Sequence, residues 1–283
     1  MIASAAAAIL PSALEASTST SSPSTYDKLM KNVGFNHLPN NEIKTMNTVL
    51  HKADSRGFAD HGWLKSNHSF SFANYHNPER MNFGVLRVLN DDYVEGGKGF
   101  GTHPHDNMEI VSIPLEGNLK HKDSMGNVAV IKAGDVQVMS AGAGIQHSEY
   151  NESEHDAVKF LQIWVFPNKR HIEPRYDQIT LPTSPKTNDF LQVVSPNEND
   201  EGVRFQQDAW FNIGTFTAGG SANYKVKKEG NGVYVFVLEG AVEIGGQPLE
   251  QRDGFGIWDV QNFEVKATAD ARLLLMDVPM SLR

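Results

Sequence analysis

Two short stretches carry residues able to hold a metal ion at strand spacing. In GTHPHDNMEI (Gly101–Ile110), His103 and His105 stand one residue apart, and Glu109 follows four residues after the second. Residues i and i+2 of a β-strand project from one face, so the two imidazoles can point at a common centre. Glu109 shares that parity if the strand runs on unbroken. In GIQHSEYN (Gly144–Asn151), His147 and Glu149 repeat the i, i+2 spacing directly after SAGAG (Ser140–Gly144). A glycine-rich bend of that kind lets a strand turn sharply and bring its next side chains toward a barrel interior. Three neutral imidazoles with one carboxylate suit Fe(II), Ni(II), Mn(II) or Cu(II) and leave positions open for substrate or O₂, the mark of a catalytic site.

Alone, the HxH pair says little: a chain with eleven histidines in 283 residues holds such a pair by chance about 0.4 times. The distribution of the histidines says more. All eleven lie at or before His171, so imidazole chemistry belongs to the first part of the chain only.

The elements that must position these residues are short apolar runs broken by turn signals. SFSFANY (Ser69–Tyr75), FGVLRVL (Phe83–Leu89), EIVSIPLEG (Glu109–Gly117), VAVIKAGD (Val128–Asp135) and KFLQIWVFP (Lys159–Pro167) read as strands. So do FLQVVS, WFNIGTF, VYVFVLEG, AVEIGG and RLLLMDV after residue 189. Regular strands with Gly, Asn and Asp in the breaks predict an all-β sandwich or barrel. PLEG (Pro114–Gly117) and VLEG (Val237–Gly240) each end a strand. Each is followed by a similar turn, KAGD (Lys132–Asp135) and RDGF (Arg252–Phe255). Two matching phrases in the same order predict one β-domain occurring twice. The expected layout is a disordered extension over 1–45, a metal-bearing barrel over 46–170, a linker rich in Pro, Asn, Lys and Asp over 171–189, and a barrel without metal over 190–283.

Composition narrows the function. There is no cysteine, which removes disulfides, thiolate metal sites and cysteine nucleophiles together. The net charge is −9 with no Lys/Arg block, so direct nucleic-acid binding is not expected. No apolar run approaches the roughly 20 residues that span a bilayer. The Ala-rich and Ser/Thr/Pro-rich first 25 residues contain no Lys or Arg, which fits neither a secretory signal nor a mitochondrial presequence. A cytoplasmic location is the expectation, with organellar targeting by the extension left open.

At this point the residues resemble a known family. GKGFGTHPHDNMEIVSIPLEG followed by AGDVQVMSAGAGIQHSEYN is similar to the two cupin motifs. HGWLKSNHSFSFANY (His61–Tyr75), LRVLNDD (Leu86–Asp92), HKDSMGN (His121–Asn127), QIWVFP (Gln162–Pro167) and DGFGIWD (Asp253–Asp259) resemble the pirin family, in its quercetin 2,3-dioxygenase-like branch. The resemblance runs from about Met46 to the end. It implies a bicupin of two tandem antiparallel β-barrels (double-stranded β-helices), the second having lost its site. It implies a divalent metal in the first, iron(II) foremost, with Ni, Mn, Cu or Zn as alternatives. Carried over by motif, the ligands are His103, His105, His147 and Glu149. Glu109, the ligand position of many other cupins, becomes a pocket residue that orients a ligand.

The implied activity is opening of a flavonol ring by O₂ with release of carbon monoxide, Glu149 taking the hydroxyl proton as base. Partners would be an aromatic small molecule and O₂. The rival implied by the same family is a non-enzymatic, metal-dependent protein partner or transcriptional cofactor, and a metal-free small-molecule-binding cupin is a second rival. Phe70, Phe72, Met139 and Trp164 are expected in the core rather than lining the pocket. His68 and His121 are expected to make local hydrogen bonds rather than bind metal. The acceptor patterns at Asn67 and Asn151 are discounted in the absence of a secretory signal.

Overall fold

The computed structural model describes residues 46–281; the expected N-terminal extension, 1–45, lies outside them. The strands in chain order are β1 (Asn47–His51), β2 (Gly57–Asp60), β3 (Leu64–His68), β4 (Leu86–Val94), β5 (Gly99–His105), β6 (Glu109–Glu116), β7 (Asn118–Asp123), β8 (Val128–Lys132), β9 (Asp135–Ser140), β10 (Ile145–Asn151), β11 (Val158–Val165) and β12 (Arg175–Thr180). They continue with β13 (Asp189–Ser195), β14 (Val203–Arg204), β15 (Trp210–Phe216), β16 (Ser221–Lys225), β17 (Asn231–Glu239), β18 (Ala241–Ile244), β19 (Gln247–Glu250), β20 (Gly254–Trp258), β21 (Asn262–Ala267) and β22 (Ala271–Pro279). Helical structure among the described residues is limited to two 3-10 turns, Ala53–Ser55 and Pro78–Arg80. No helix there is long and apolar enough to cross a membrane.

Each half pairs a seven-stranded sheet with a four-stranded one. The first has the orders β12-β9-β6-β11-β4-β3-β2 and β5-β10-β7-β8; the second has β1-β20-β17-β22-β15-β13-β14 and β16-β21-β18-β19. The two sets correspond strand for strand except at one edge, where β2 runs antiparallel to β3 and β14 parallel to β13, so the architecture is the expected bicupin. The repeated phrases sit at one structural place. Gly117 and Gly240 turn the chain from β6 to β7 and from β17 to β18 with φ of 74° and 73°, a conformation that L side chains rarely adopt. At Gly240 a Cβ would also stand 1.8 Å from the Asp270 carbonyl oxygen. Gly240→Ala is therefore expected to cost at least ~2 kcal/mol, strain plus clash. Gly246→Ala, with φ of 81° but open space around it, should cost about 1 kcal/mol. Urea denaturation of the two variants measures the difference.

Two strands depart from the expected boundaries. β1, ahead of the first barrel, pairs antiparallel with β20 of the second (Asn47 opposite Trp258, His51 opposite Gly254). β12, inside the segment 171–189 expected as a linker, pairs with β9 of the first (Arg175 opposite Ser140, Thr180 opposite Asp135). Each barrel is thus closed at one sheet edge by the strand that precedes the other, which covers backbone groups that would otherwise be an open edge. SFSFANY also departs from expectation. It is a loop with a single bridge, Phe72 to Tyr75, because Ala73 adopts a positive φ and Arg87 binds the Ser71 and Met81 carbonyls from β4.

The central strands of the seven-stranded sheets are buried on both faces, as their near-continuous Val/Ile/Leu/Phe runs require. Their outer faces share one core, in which Phe70, Val111, Ile113 and Ile163 meet Val194, Phe211, Phe236 and Leu274. The four-stranded sheets turn one face to water, and β21 alternates accordingly (Phe263, Val265 and Ala267 buried, their neighbours exposed). The second barrel's interior is apolar throughout, built on Val233, Val235, Val237, Phe255, Leu273 and Leu275. The first barrel has apolar ends, Leu119, Ile131 and Phe160 at one and Ile110, Met139 and Ile145 at the other, with a polar layer between them. That layer runs in register across four strands: Gln137 opposite Ser112, Ser112 opposite Gln162, Gln162 opposite Asn90. The corresponding row of the second barrel is Phe255, Val235, Leu275 and Asn212.

Candidate metal centre

β5 and β10 are hydrogen-bonded neighbours with His103 opposite His147 and Ile145 opposite His105. The strand parity that allowed one centre on β5 therefore extends across the pair. The ring centroids of His103, His105 and His147 lie 4.9, 4.4 and 4.9 Å apart pairwise, and one ring nitrogen of each lies within 4.8 Å of the other two. Glu149 comes onto the same inward side of β10, although the pairing with β5 shifts register between His147 and Glu149. The structure places it in a second group, with His121 and His147, whose donor atoms are again within 4.8 Å of one another. His147 is common to both groups.

The tautomers are fixed by what surrounds the rings. Nδ1 of His103 is 2.8 Å from the Gly101 carbonyl. A carbonyl only accepts, so Nδ1 carries the proton and Nε2 offers its lone pair. Both ring nitrogens of His147 are buried without any hydrogen-bond partner. Burial, reinforced by the neighbouring imidazoles, lowers the pKa of His147 to about 2; burial and His103 lower that of His105 to about 4. Both rings are neutral at any physiological pH. A buried imidazole with no protein partner on either nitrogen is an uncompensated polar group, and a divalent cation bound by His103, His105 and His147 supplies the missing partner. The residues fit a metal on that ground alone.

Glu149 is 2% exposed. Ser112 Oγ donates to its Oε1 at 3.1 Å and Gln162 Nε2 to its Oε2 at 2.8 Å; burial raises its pKa against the pull of His121, His103 and these two bonds. Ser112 and Gln162 belong to the polar layer, so the layer is what holds the carboxylate. Neither residue shows in the sequence as a site position, because only the register of β6 against β11 places them under Glu149.

Glu109 is not where the sequence put it. β5 ends at His105, the chain turns through Asn107 with φ of 45°, and β6 restarts with the opposite parity. Glu109 consequently faces the interface between the barrels, where its Oε2 accepts from Ser140 Oγ at 2.8 Å and from the backbone N–H of Gln206 at 3.0 Å. It orients no histidine. Burial raises its pKa to about 7 against those two bonds and Arg175.

The four aromatic and apolar candidates divide. Phe70 and Met139 are core residues, as expected. Trp164 packs edge-on against His105 with centroids 4.9 Å apart, its indole N–H unpaired, and Phe72 packs edge-on against Trp164 at 5.4 Å. These two border the half-exposed side of the histidine cluster. His121 does make a local hydrogen bond, Nε2 to Asp123 Oδ2 at 3.2 Å, and also stands beside His147 and Glu149. The signal was present: His121 and Asp123 have the same i, i+2 spacing as the other pairs. His68, packed on Phe72 and Tyr75, joins neither donor group. Asn151 is buried and donates to the Val94 and Asp156 carbonyls, which closes the acceptor pattern there.

The second barrel lacks every donor. Asn151 pairs with Leu119 just after Gly117, and Ala267 pairs with Val242 just after Gly240. Counting back along β10 and β21 from these pairs aligns His147 with Phe263 and Glu149 with Val265. His103, opposite His147, aligns with Tyr224, opposite Phe263.

Comparison with known proteins agrees with this division. Residues 49–165 match the family model described as Pirin, and residues 192–278 match that of the quercetinase C-terminal cupin domain. Quercetin 2,3-dioxygenase of Escherichia coli K12 is 42% identical over 234 residues, spanning 81% of this chain and 98% of that protein. The chain belongs to the pirin family. Another relative, a pirin-like protein of Caulobacter vibrioides, is 40% identical over 225 residues, 79% of this chain and 96% of its own. Among solved structures of pirins and other cupins, the bacterial pirin YhhW of E. coli in complex with nickel(II) is 41% identical and superposes with a TM-score of 0.78, covering 82% of this chain and 99% of that one. A hazelnut vicilin, 12% identical with a TM-score of 0.59, shares the fold alone.

Proposed function

We propose that this pirin-family protein is a metal-dependent dioxygenase that opens a flavonol such as quercetin with O₂ and releases carbon monoxide. The observation that carries the reading is the meeting of three imidazoles and a buried carboxylate at one inner face of the first barrel, on a side edged by Trp164 and Phe72. A divalent cation held by His103, His105 and His147, with Glu149 as the carboxylate of the set, would supply Lewis acidity to the flavonol 3-oxygen. Iron(II) is the first candidate. The family's nickel-bound member and the imidazole-carboxylate donor set make nickel the second.

The chain's own residues do the rest. Glu149 takes the proton of the 3-hydroxyl; burial raises its affinity for a proton, which strengthens it as a base. Ser112 and Gln162 hold the carboxylate in place through the transfer. Trp164 and Phe72 offer flat apolar edges to an aromatic substrate and keep water from the reacting atoms.

The test is anaerobic loading with iron followed by O₂ uptake and carbon monoxide detection with quercetin. Stoichiometric loss of O₂ and appearance of carbon monoxide are expected. No turnover with iron, nickel, manganese or copper at full occupancy would overturn the reading.

A further inference from the structure

We propose that the first barrel has a second, inner cation position, formed by His121, His147 and Glu149, adjoining the one formed by His103, His105 and His147. It rests on the reading that this barrel binds a divalent cation and not on any oxidation it carries out.

The three side chains are 1%, 2% and 2% exposed, and a donor atom from each lies within 4.8 Å of the other two. The state of His121 is set from outside. Asp123 accepts from Met125 N and Asn127 N on Oδ1, and from Asn127 Nδ2 on the same Oδ2 that faces His121 Nε2. Three donors on one carboxylate favour its ionised form, which can only accept. The hydrogen bond to Asp123 therefore takes a proton on Nε2, and Nδ1 is buried and without a partner. This is the arrangement in which a carboxylate prepares a histidine for a metal.

His147 adds a buried ring with no protein partner on either nitrogen. Glu149 adds a buried carboxylate with lone pairs to spare beyond the bonds from Ser112 and Gln162. Lone pairs brought together in a dry interior repel unless something positive lies between them. A divalent cation there would be balanced by the two buried carboxylates, Glu149 directly and Asp123 through His121.

A neutral imidazole has one lone pair, so His147 serves one position at a time. The two positions are alternatives for a single ion, and the stoichiometry stays at one per chain. Borderline divalent metals that accept both imidazole and carboxylate, such as copper(II), nickel(II), cobalt(II) or zinc(II), suit the inner donors.

Copper(II) is the probe, because pulsed EPR counts the imidazoles bound to it. In the full chain, the double variant His103→Ala/His105→Ala should still bind one copper per chain, with affinity lowered about 10- to 100-fold and two imidazoles in the spectrum. Adding His121→Ala should abolish that binding. His121→Gln in the double variant, which keeps an amide beside Asp123, should abolish it equally; restored binding would assign His121 a merely structural part and overturn the proposal. So would a double variant that binds no more copper than the triple one. His103→Gln/His105→Gln replaces any double variant that circular dichroism shows to be unfolded. Quercetin turnover by the wild type is measured separately: turnover without inner binding defeats this proposal and leaves the dioxygenase reading standing, while a wild type that holds no metal defeats both.

Discussion

Replacing His147 by Ala is expected to lower the affinity for divalent metal more than 100-fold and to abolish turnover with quercetin. His147 is the one residue common to both donor groups, so its loss leaves two imidazoles at the outer group and one imidazole with a carboxylate at the inner one. Removing a residue that merely orients a ligand costs a metal site about 10- to 100-fold; removing a shared ligand must cost more. Stability gives an independent readout. With metal at 100 times its dissociation constant, binding stabilises the native state by about 2.7 kcal/mol, so the wild type should melt higher with nickel(II) and the variant should not respond. Truncating a buried ring also leaves a cavity. His147→Gln fills more of it and carries no imidazole, so it should reproduce the loss of metal at smaller cost to the fold. Wild-type affinity in both variants would remove His147 from the centre.

The sequence showed this much of the site because the i, i+2 rule is local. His103 with His105, and His147 with Glu149, need only two residues of strand to share a face, and the glycines of SAGAG marked where the second pair would turn inward. The repeat was legible for a similar reason: Gly117 and Gly240 occupy a backbone conformation that few other residues tolerate, so the phrase around them persisted in both barrels. What failed were inferences that needed the chain to stay regular or needed pairing between distant segments. Glu109 was placed by parity across a turn at Asn107 that reverses parity. The pairing of β1 with the second barrel and of β12 with the first, the polar layer beneath Glu149 and the place of His121 all depend on register between strands far apart in the chain, about which periodicity carries no information.

The same register explains why one barrel has a site and the other has none. In the first, Ser112 and Gln162 cross the interior beneath a carboxylate; in the second, Val235 and Leu275 cross it beneath Val265. Placing histidines at Tyr224 and Phe263 would not by itself recreate the site, because Val265 brings no carboxylate to the place of Glu149 and the buried carboxylate of Asp277 already accepts from Asn231 and the Lys227 backbone.

The two glutamates of the motif region should separate cleanly. Glu149→Gln is expected to lower kcat for quercetin by about 10²- to 10⁴-fold, the usual contribution of a positioned base, and to weaken metal binding, since an amide brings no charge to the cation. Glu109→Gln should leave both metal content and turnover near wild type, because its partners are Ser140 and the Gln206 backbone, not a histidine. Its signature is in stability. The pKa of Glu109 is raised from 4.5 to about 7, so the native state binds a proton more tightly than the unfolded chain does. Its favourable contribution is complete below pH 4.5, declines as the pH rises, and is gone above 7; over that window the shift corresponds to about 3 kcal/mol. The wild type should therefore lose stability relative to Glu109→Gln between pH 4.5 and 7 in urea titrations of the metal-free protein, with the two curves parallel on either side. Loss of metal from Glu109→Gln with Glu149→Gln unaffected would reverse the assignment of the carboxylates, and parallel stability curves throughout would place Glu109 outside the barrel interface.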